Sequence, residues 1–272
     1  MNLQKCVLFA VALPAFVVAS AEIKLRGNLV QGGTAVGQAA PGTHIKMDGR
    51  PIRVSPDGWF LIGFNRDQQP NVVLKGVHSD GDRWEQIVNI EARKYDIERI
   101  DGLPSAKVSP SAADLNRIKR ENALIGAARL RDNPATDFLT DFEWPLVGRI
   151  SGVYGSQRIL NGIPKRPHYG VDIAAPQGTP IKAPAPGQVT LVHPDMFYTG
   201  GTVNLDHGYG LTSIYTHMSA VFVTGGQHVK KGEVIGKVGA TGRVTGPHLH
   251  WGMNWFKTRL DPALLVGAMP KQ

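Results

Sequence analysis

The chain has 272 residues, 42% of them hydrophobic, with 30 Lys and Arg against 22 Asp and Glu, a formal net charge of +8. Its single cysteine, Cys6, excludes disulfides and any multi-thiolate metal site. The basic excess is local: residues 142–272 hold 12 basic and 6 acidic side chains, whereas residues 22–110 hold 12 and 11. A basic face attracts an anionic polymer at long range. No aromatic–basic interleaving or known nucleic-acid motif is present, so nucleic acid is not the expected partner.

Residues 1–21 read as a signal peptide. Lys5 supplies the positive start, Cys6–Val18 the apolar run, and Ala19-Ser20-Ala21 a small-x-small cleavage site before Glu22. The run is shorter than the roughly 20 residues a spanning helix needs. An exported chain without stable membrane insertion after cleavage is expected, in the periplasm or cell envelope.

Residues 22–101 carry short apolar runs at Ile23–Val30, Thr43–Met47, Pro51–Val54, Trp59–Phe64, Val72–Val77 and Trp84–Ile90. Turn signals separate them, among them the hairpin dipeptides Asp48-Gly49 and Asp57-Gly58. The pattern predicts an immunoglobulin-like sandwich acting as a binding or positioning module. Residues 102–140 read as a linker with one helix. Its start is either Ser109 with Pro110 at the first helical position or Ser111 paired with Asp114 as a capping box. Leu115, Ile118, Ile125 and Ala128 give it a partial apolar stripe, and Asn133-Pro134 a stop. A regulatory cover lying across a groove is a sharper reading of the same segment.

Residues 141–272 read as an antiparallel β domain. Strands are expected at Arg149–Tyr154, around His168 and Asp172, and at Gln188–His193, Thr202–Asp206, Leu211–His217, Val234–Val238 and His248–Asn254, with a loop from Gly155 to Pro167. Side chains two or four apart on a strand share a face. That pairs His248 with His250, and His168 with Asp172, while His217 ends a third strand. Imidazoles and a carboxylate aimed at one point suit a metal site or acid–base work. His207 reads as structural within a turn, and His193 and His228 as surface residues.

The order H-x-x-x-D, isolated histidine, H-x-H resembles the LytM/lysostaphin-type zinc metallopeptidases. The surroundings Gly170–Pro176, Asp206–Gly210 and Val238–Arg243 are similar too, over residues 144–262. The resemblance implies a mainly β enzyme with zinc held by His168, Asp172 and His250. It places His217 and His248 in catalysis and makes bacterial peptidoglycan the substrate, cut at its peptide cross-links. No H-E-x-x-H supplies a glutamate base, and the resemblance implies that His217 and His248 fill that role. Arg158 and Arg166 are candidates for binding substrate carboxylates. The tyrosine that some relatives carry before the first histidine is replaced by Asn161–Pro164, leaving Tyr154 and Tyr169 as substitutes. The alternative is a catalytically silent binding or activator module on the same fold. Such modules lose ligands or catalytic histidines, and this chain keeps all five.

Overall fold

Burial alternates along Asn71–Val77 and Arg83–Asn89, with Val72, Leu74, Trp84 and Val88 in and Asn71, Lys75, Arg83 and Glu85 out, as a half-buried hairpin requires. In the computed structural model, which describes residues 23–271, this hairpin belongs to the larger of two antiparallel sheets in the N-terminal half. The strands are β1 (Leu25–Gly27), β2 (Thr34–Gln38), β3 (His44–Met47), β4 (Arg50–Ile52), β5 (Trp59–Gly63), β6 (Asn71–Val77) and β7 (Arg83–Asn89). One sheet runs β1-β2-β5, the other β4-β3-β6-β7. Phe60, Ile62, Val72 and Leu74 are fully buried. Asp48 and Gly49 both have positive φ, 47° and 80°, as a tight turn between β3 and β4 demands. The expected signal peptide, 1–21, lies outside the described residues. Among those described, no helix is long and apolar enough to cross a membrane.

β8 (Ile97–Ile100) leaves this half and pairs in parallel with β10 (Gln157–Leu160) of the C-terminal half. Two helices follow, α1 (Ser105–Val108) and α2 (Ala112–Arg129). Ser111 and Asp114 form the capping box, so Ser109 is not the cap. Ile118, Ile125 and Ala128 are buried as expected, but Leu115 is 54% exposed. Glu121 takes a buried place instead, accepting the Phe197 backbone N–H at 2.7 Å and Arg117 Nε–H at 2.6 Å. The helix rests on the sheet through Ile125, Met196, Ile214 and Leu191, and it ends at Arg129, before Asn133-Pro134 is reached.

The remaining strands are β9 (Arg149–Gly152), β11 (Ile163–Pro164), β12 (Val171–Ala174), β13 (Pro180–Lys182), β14 (Gly187–Met196), β15 (Gly200–Asp206), β16 (Leu211–Val221), β17 (His228–Val229), β18 (Val234–Val238), β19 (His248–Trp255) and β20 (Thr258–Leu260). Ten of the strands form one antiparallel sheet with the path β17-β14-β15-β16-β19-β12-β9; β18 pairs with β16 and β13, and β20 with β19. The β10–β11 hairpin occupies the stretch expected as a loop. The two halves are fastened by Arg93 Nη1 to the buried Asp261 at 2.8 Å and by Asn28 Nδ2 to Leu264 O at 2.7 Å.

His207 is structural. Its Nδ1–H donates to Pro186 O, Ser213 Oγ–H donates to its Nε2 at 2.8 Å, and Tyr215 O–H donates to Ser213 at 2.8 Å. Burial pulls its pKa down to about 4, against about 6.5 in an unfolded chain. Between those values the unfolded state binds more protons, so stability falls as pH falls. Unfolding the chelated chain in urea at pH 7 and at pH 5 should show a loss from His207 of about 2 kcal/mol. His207→Gln should flatten the pH dependence by that amount; an unchanged slope would mean that burial does not lower the His207 pKa.

Candidate active site

The ladder of β12 on β19 sets Asp172 opposite His250 and Ala174 opposite His248, and β16 on β19 sets Thr216 opposite His250. Asp172, His248 and His250 therefore project from one face, as the period of two requires. His168 reaches them by another route: it lies in an irregular stretch before β12, not on the strand. Its backbone is pinned by Gly155 N–H to its carbonyl at 2.7 Å and by its own N–H to Ser156 O at 2.8 Å.

His217 is the second departure from simple alternation. Leu211, Ser213 and Tyr215 face the opposite side from Thr212, Ile214 and Thr216, so an unbroken strand would aim His217 away from the site. A bulge against β15 and a φ of 65° at His217 turn it back. Positive φ on a histidine costs energy and clusters at functional positions. Two glycines clear the space: a Cβ at Gly152 would lie 2.6 Å from Asp172 Oδ2, and one at Gly170 would lie 2.6 Å from His250 Cε1.

Three ligand atoms meet at one point. His168 Nε2 and His250 Nδ1 are 2.9 Å apart, His168 Nε2 and Asp172 Oδ1 3.0 Å, and His250 Nδ1 and Asp172 Oδ1 2.7 Å. A tetrahedral zinc with bonds of about 2.0–2.1 Å separates its ligands by about 3.3 Å, so a few tenths of an ångström of opening would admit one. The His168 Nδ1–H donates to Val153 O at 3.0 Å, which leaves Nε2 bare toward that point. Burial would raise the Asp172 pKa, but the imidazoles of His168 and His250 beside it hold it well below the usual carboxylate range. Burial pulls His250 down to about 4, so it is neutral and able to ligate. These donors fit a divalent metal.

His217 and His248 stand beside this triad with ring centroids 4.8 Å apart, and His248 Nε2 lies 3.9 Å from Asp172 Oδ1. The loop before β19 orients both. His217 Nδ1–H donates to Thr241 O at 2.8 Å and His248 Nδ1–H to Gly246 O at 2.9 Å. Each therefore keeps an unprotonated Nε2. Burial, with the neighbouring His248 and His250, pulls His217 down to about 3. The arrangement can bind a metal and move a proton beside it.

Arg158 is in the site, engaged on both sides: Nη2 donates to Asp172 Oδ2 at 2.6 Å and Nε to Glu98 Oε2 at 3.0 Å. Arg166 is exposed and does not line the groove. Tyr154 is buried with its hydroxyl donated to Arg259 O at 2.9 Å, so it is no hydrogen-bond donor to a substrate. The groove, about 400 Å³, runs between Arg158 and Leu160 on one bank and Arg243–Thr245 on the other. Of the segment 102–140, Leu103 lines the groove. Lys107 Nζ donates to Phe197 O at 2.6 Å, Lys165 Nζ to Val108 O at 2.8 Å, and Asn161 clamps Leu103 through two bonds. α2 lies instead against β14 and β15. Glu98, Arg243 and the three orienting carbonyls were not expected from the sequence.

Residues 166–262 match the model of peptidase family M23. A peptidase M23 of Pseudomonas aeruginosa is 34% identical and superposes with a TM-score of 0.69, over 89% of this chain and 96% of that one. The chain belongs to peptidase family M23. The M23 segment is also 49% identical over 86 residues to the DD-carboxypeptidase/endopeptidase Mpg of Neisseria meningitidis, covering 32% of this chain and 20% of Mpg. It is 42% identical over 115 residues to the peptidoglycan DD-endopeptidase ShyA of Vibrio cholerae, covering 41% of this chain and 25% of ShyA. The matches thus span a fifth to a quarter of the length of these curated relatives.

Proposed function

We propose that this M23 chain is a zinc-dependent endopeptidase of the cell envelope that hydrolyses peptide cross-links of peptidoglycan. The observation that carries the reading is the convergence of His168, Asp172 and His250 beside two histidines whose Nδ1–H groups are anchored on backbone carbonyls. The endopeptidase names of the relatives supply the substrate class.

His168, Asp172 and His250 would hold the zinc. When bound there, zinc would polarise the scissile carbonyl and acidify a water to near neutral pKa. The bare Nε2 atoms of His217 and His248 face the same space, and one of them takes a proton from the attacking water. The imidazolium so formed donates to the departing amine nitrogen, which closes the proton balance. Arg158 fixes Asp172 through its second oxygen, leaving the first for the metal point. Incubated with purified sacculi, the metal-replete chain should release peptide-linked fragments. A chain that binds sacculi and releases nothing would be a silent binding module.

A further inference from the structure

Two charged side chains of the groove are left unused by the mechanism, the exposed Arg99 and the half-buried Arg243. The Arg243 guanidinium carbon lies 4.5 Å from the Tyr198 ring centroid, and its backbone N–H donates to Tyr198 O at 2.9 Å. Among the described residues no Asp or Glu pairs with it, in contrast to Arg158, which holds two carboxylates. Of its five N–H donors, the protein engages one, at a limiting 3.5 Å, on the carbonyl oxygen of Lys107. Burial pulls its pKa down from the ordinary arginine value, so holding this cation without a counter-ion has a cost.

We propose that Arg243 is the receptor for a free carboxylate on the substrate peptide, and that the chain therefore selects cross-links flanked by such a carboxylate over uncharged bridges. A planar guanidinium matches a carboxylate through two parallel hydrogen bonds. The loop that carries Arg243 also supplies Thr241 O to His217 and Gly246 O to His248. Arg243 is thus in fixed relation to both proton-transfer groups, and the carboxylate it takes belongs to a residue adjoining the scissile amide. The Lys107 carbonyl, a neutral acceptor at a limiting 3.5 Å, gives way to the stronger anionic one. This inference rests on the endopeptidase reading above.

The test uses two cross-linked muropeptides that differ only in whether the carboxylate beside the scissile bond is free or amidated. The full chain should prefer the free form at least ~10-fold in kcat/KM, the discrimination a lost charge-assisted contact brings. Arg243→Gln should bring that ratio close to one, and Arg243→Lys should restore part of it. A residue that only braced the Lys107 carbonyl would change both substrates alike and leave the ratio intact, which would overturn the proposal. Titration calorimetry with the un-cross-linked stem peptide, free or amidated, decides the matter independently of turnover. Wild-type chain should bind the free form more tightly, and equal binding, or none, would overturn the proposal. Failure to cleave either muropeptide, with that binding preference present, would instead strike the endopeptidase reading.

Discussion

Asp172→Ala is expected to lose the metal and all hydrolytic activity together. Asp172 is the centre of the site: Oδ1 lies 2.7 Å from His250 Nδ1 and 3.0 Å from His168 Nε2, while Oδ2 takes Arg158 at 2.6 Å. Removing it deletes one of three ligands and leaves the Arg158 cation, held by Glu98 alone, beside the other two. Zinc retained after dialysis should fall from about one per chain toward zero, with activity no higher than in the chelated wild type. The fold should persist, because Arg158 keeps Glu98 at 3.0 Å and the neighbouring side chains of β12, Val171 and Ile173, stay buried. His250→Ala should behave the same way. An Asp172→Ala chain that binds zinc as tightly as wild type would remove these residues from the ligand set.

The second large effect separates ligands from proton carriers. His217→Ala and His248→Ala should keep zinc and lose turnover by roughly 10²–10⁴-fold, the range for a positioned acid or base. Neither contributes an atom to the 2.7–3.0 Å triangle. Metal analysis with initial rates on a cross-linked muropeptide reads both quantities on the same preparation. Normal metal in His250→Ala with lost metal in His248→Ala would reverse the assignment.

The H-x-H pair and Asp172 were legible because an even spacing on a strand fixes a common face, and β12 and β19 keep that register throughout. The same rule misplaced His168, which arrives from an irregular stretch held by Gly155 and Ser156. It also gave no account of His217, whose odd position faces the site only through a bulge and a positive φ. Both are properties of backbone geometry that no side-chain period encodes. β2 falls between the apolar runs expected at Ile23–Val30 and Thr43–Met47. In the fold Gly37 lies under Phe60, where a Cβ would come within 2.3 Å of the ring. Glu98 lies 60 residues from Arg158, and only the parallel pairing of β8 with β10 brings them together. The helix was visible through its cap and its stripe, but its seat was not. Glu121 is buried by a backbone N–H of Phe197, a partner 76 residues away.

The most direct test of the whole account is a defined cross-linked muropeptide dimer offered to three preparations of the full chain: zinc-loaded, chelated, and chelated then reloaded with zinc. Mass spectrometry of the products should show the dimer split into two monomers by water addition at the cross-link amide in the first and third, and an intact dimer in the second. An intact dimer in all three, from chains verified to carry one zinc at His168, Asp172 and His250, or equal cleavage by the chelated chain, would contradict it.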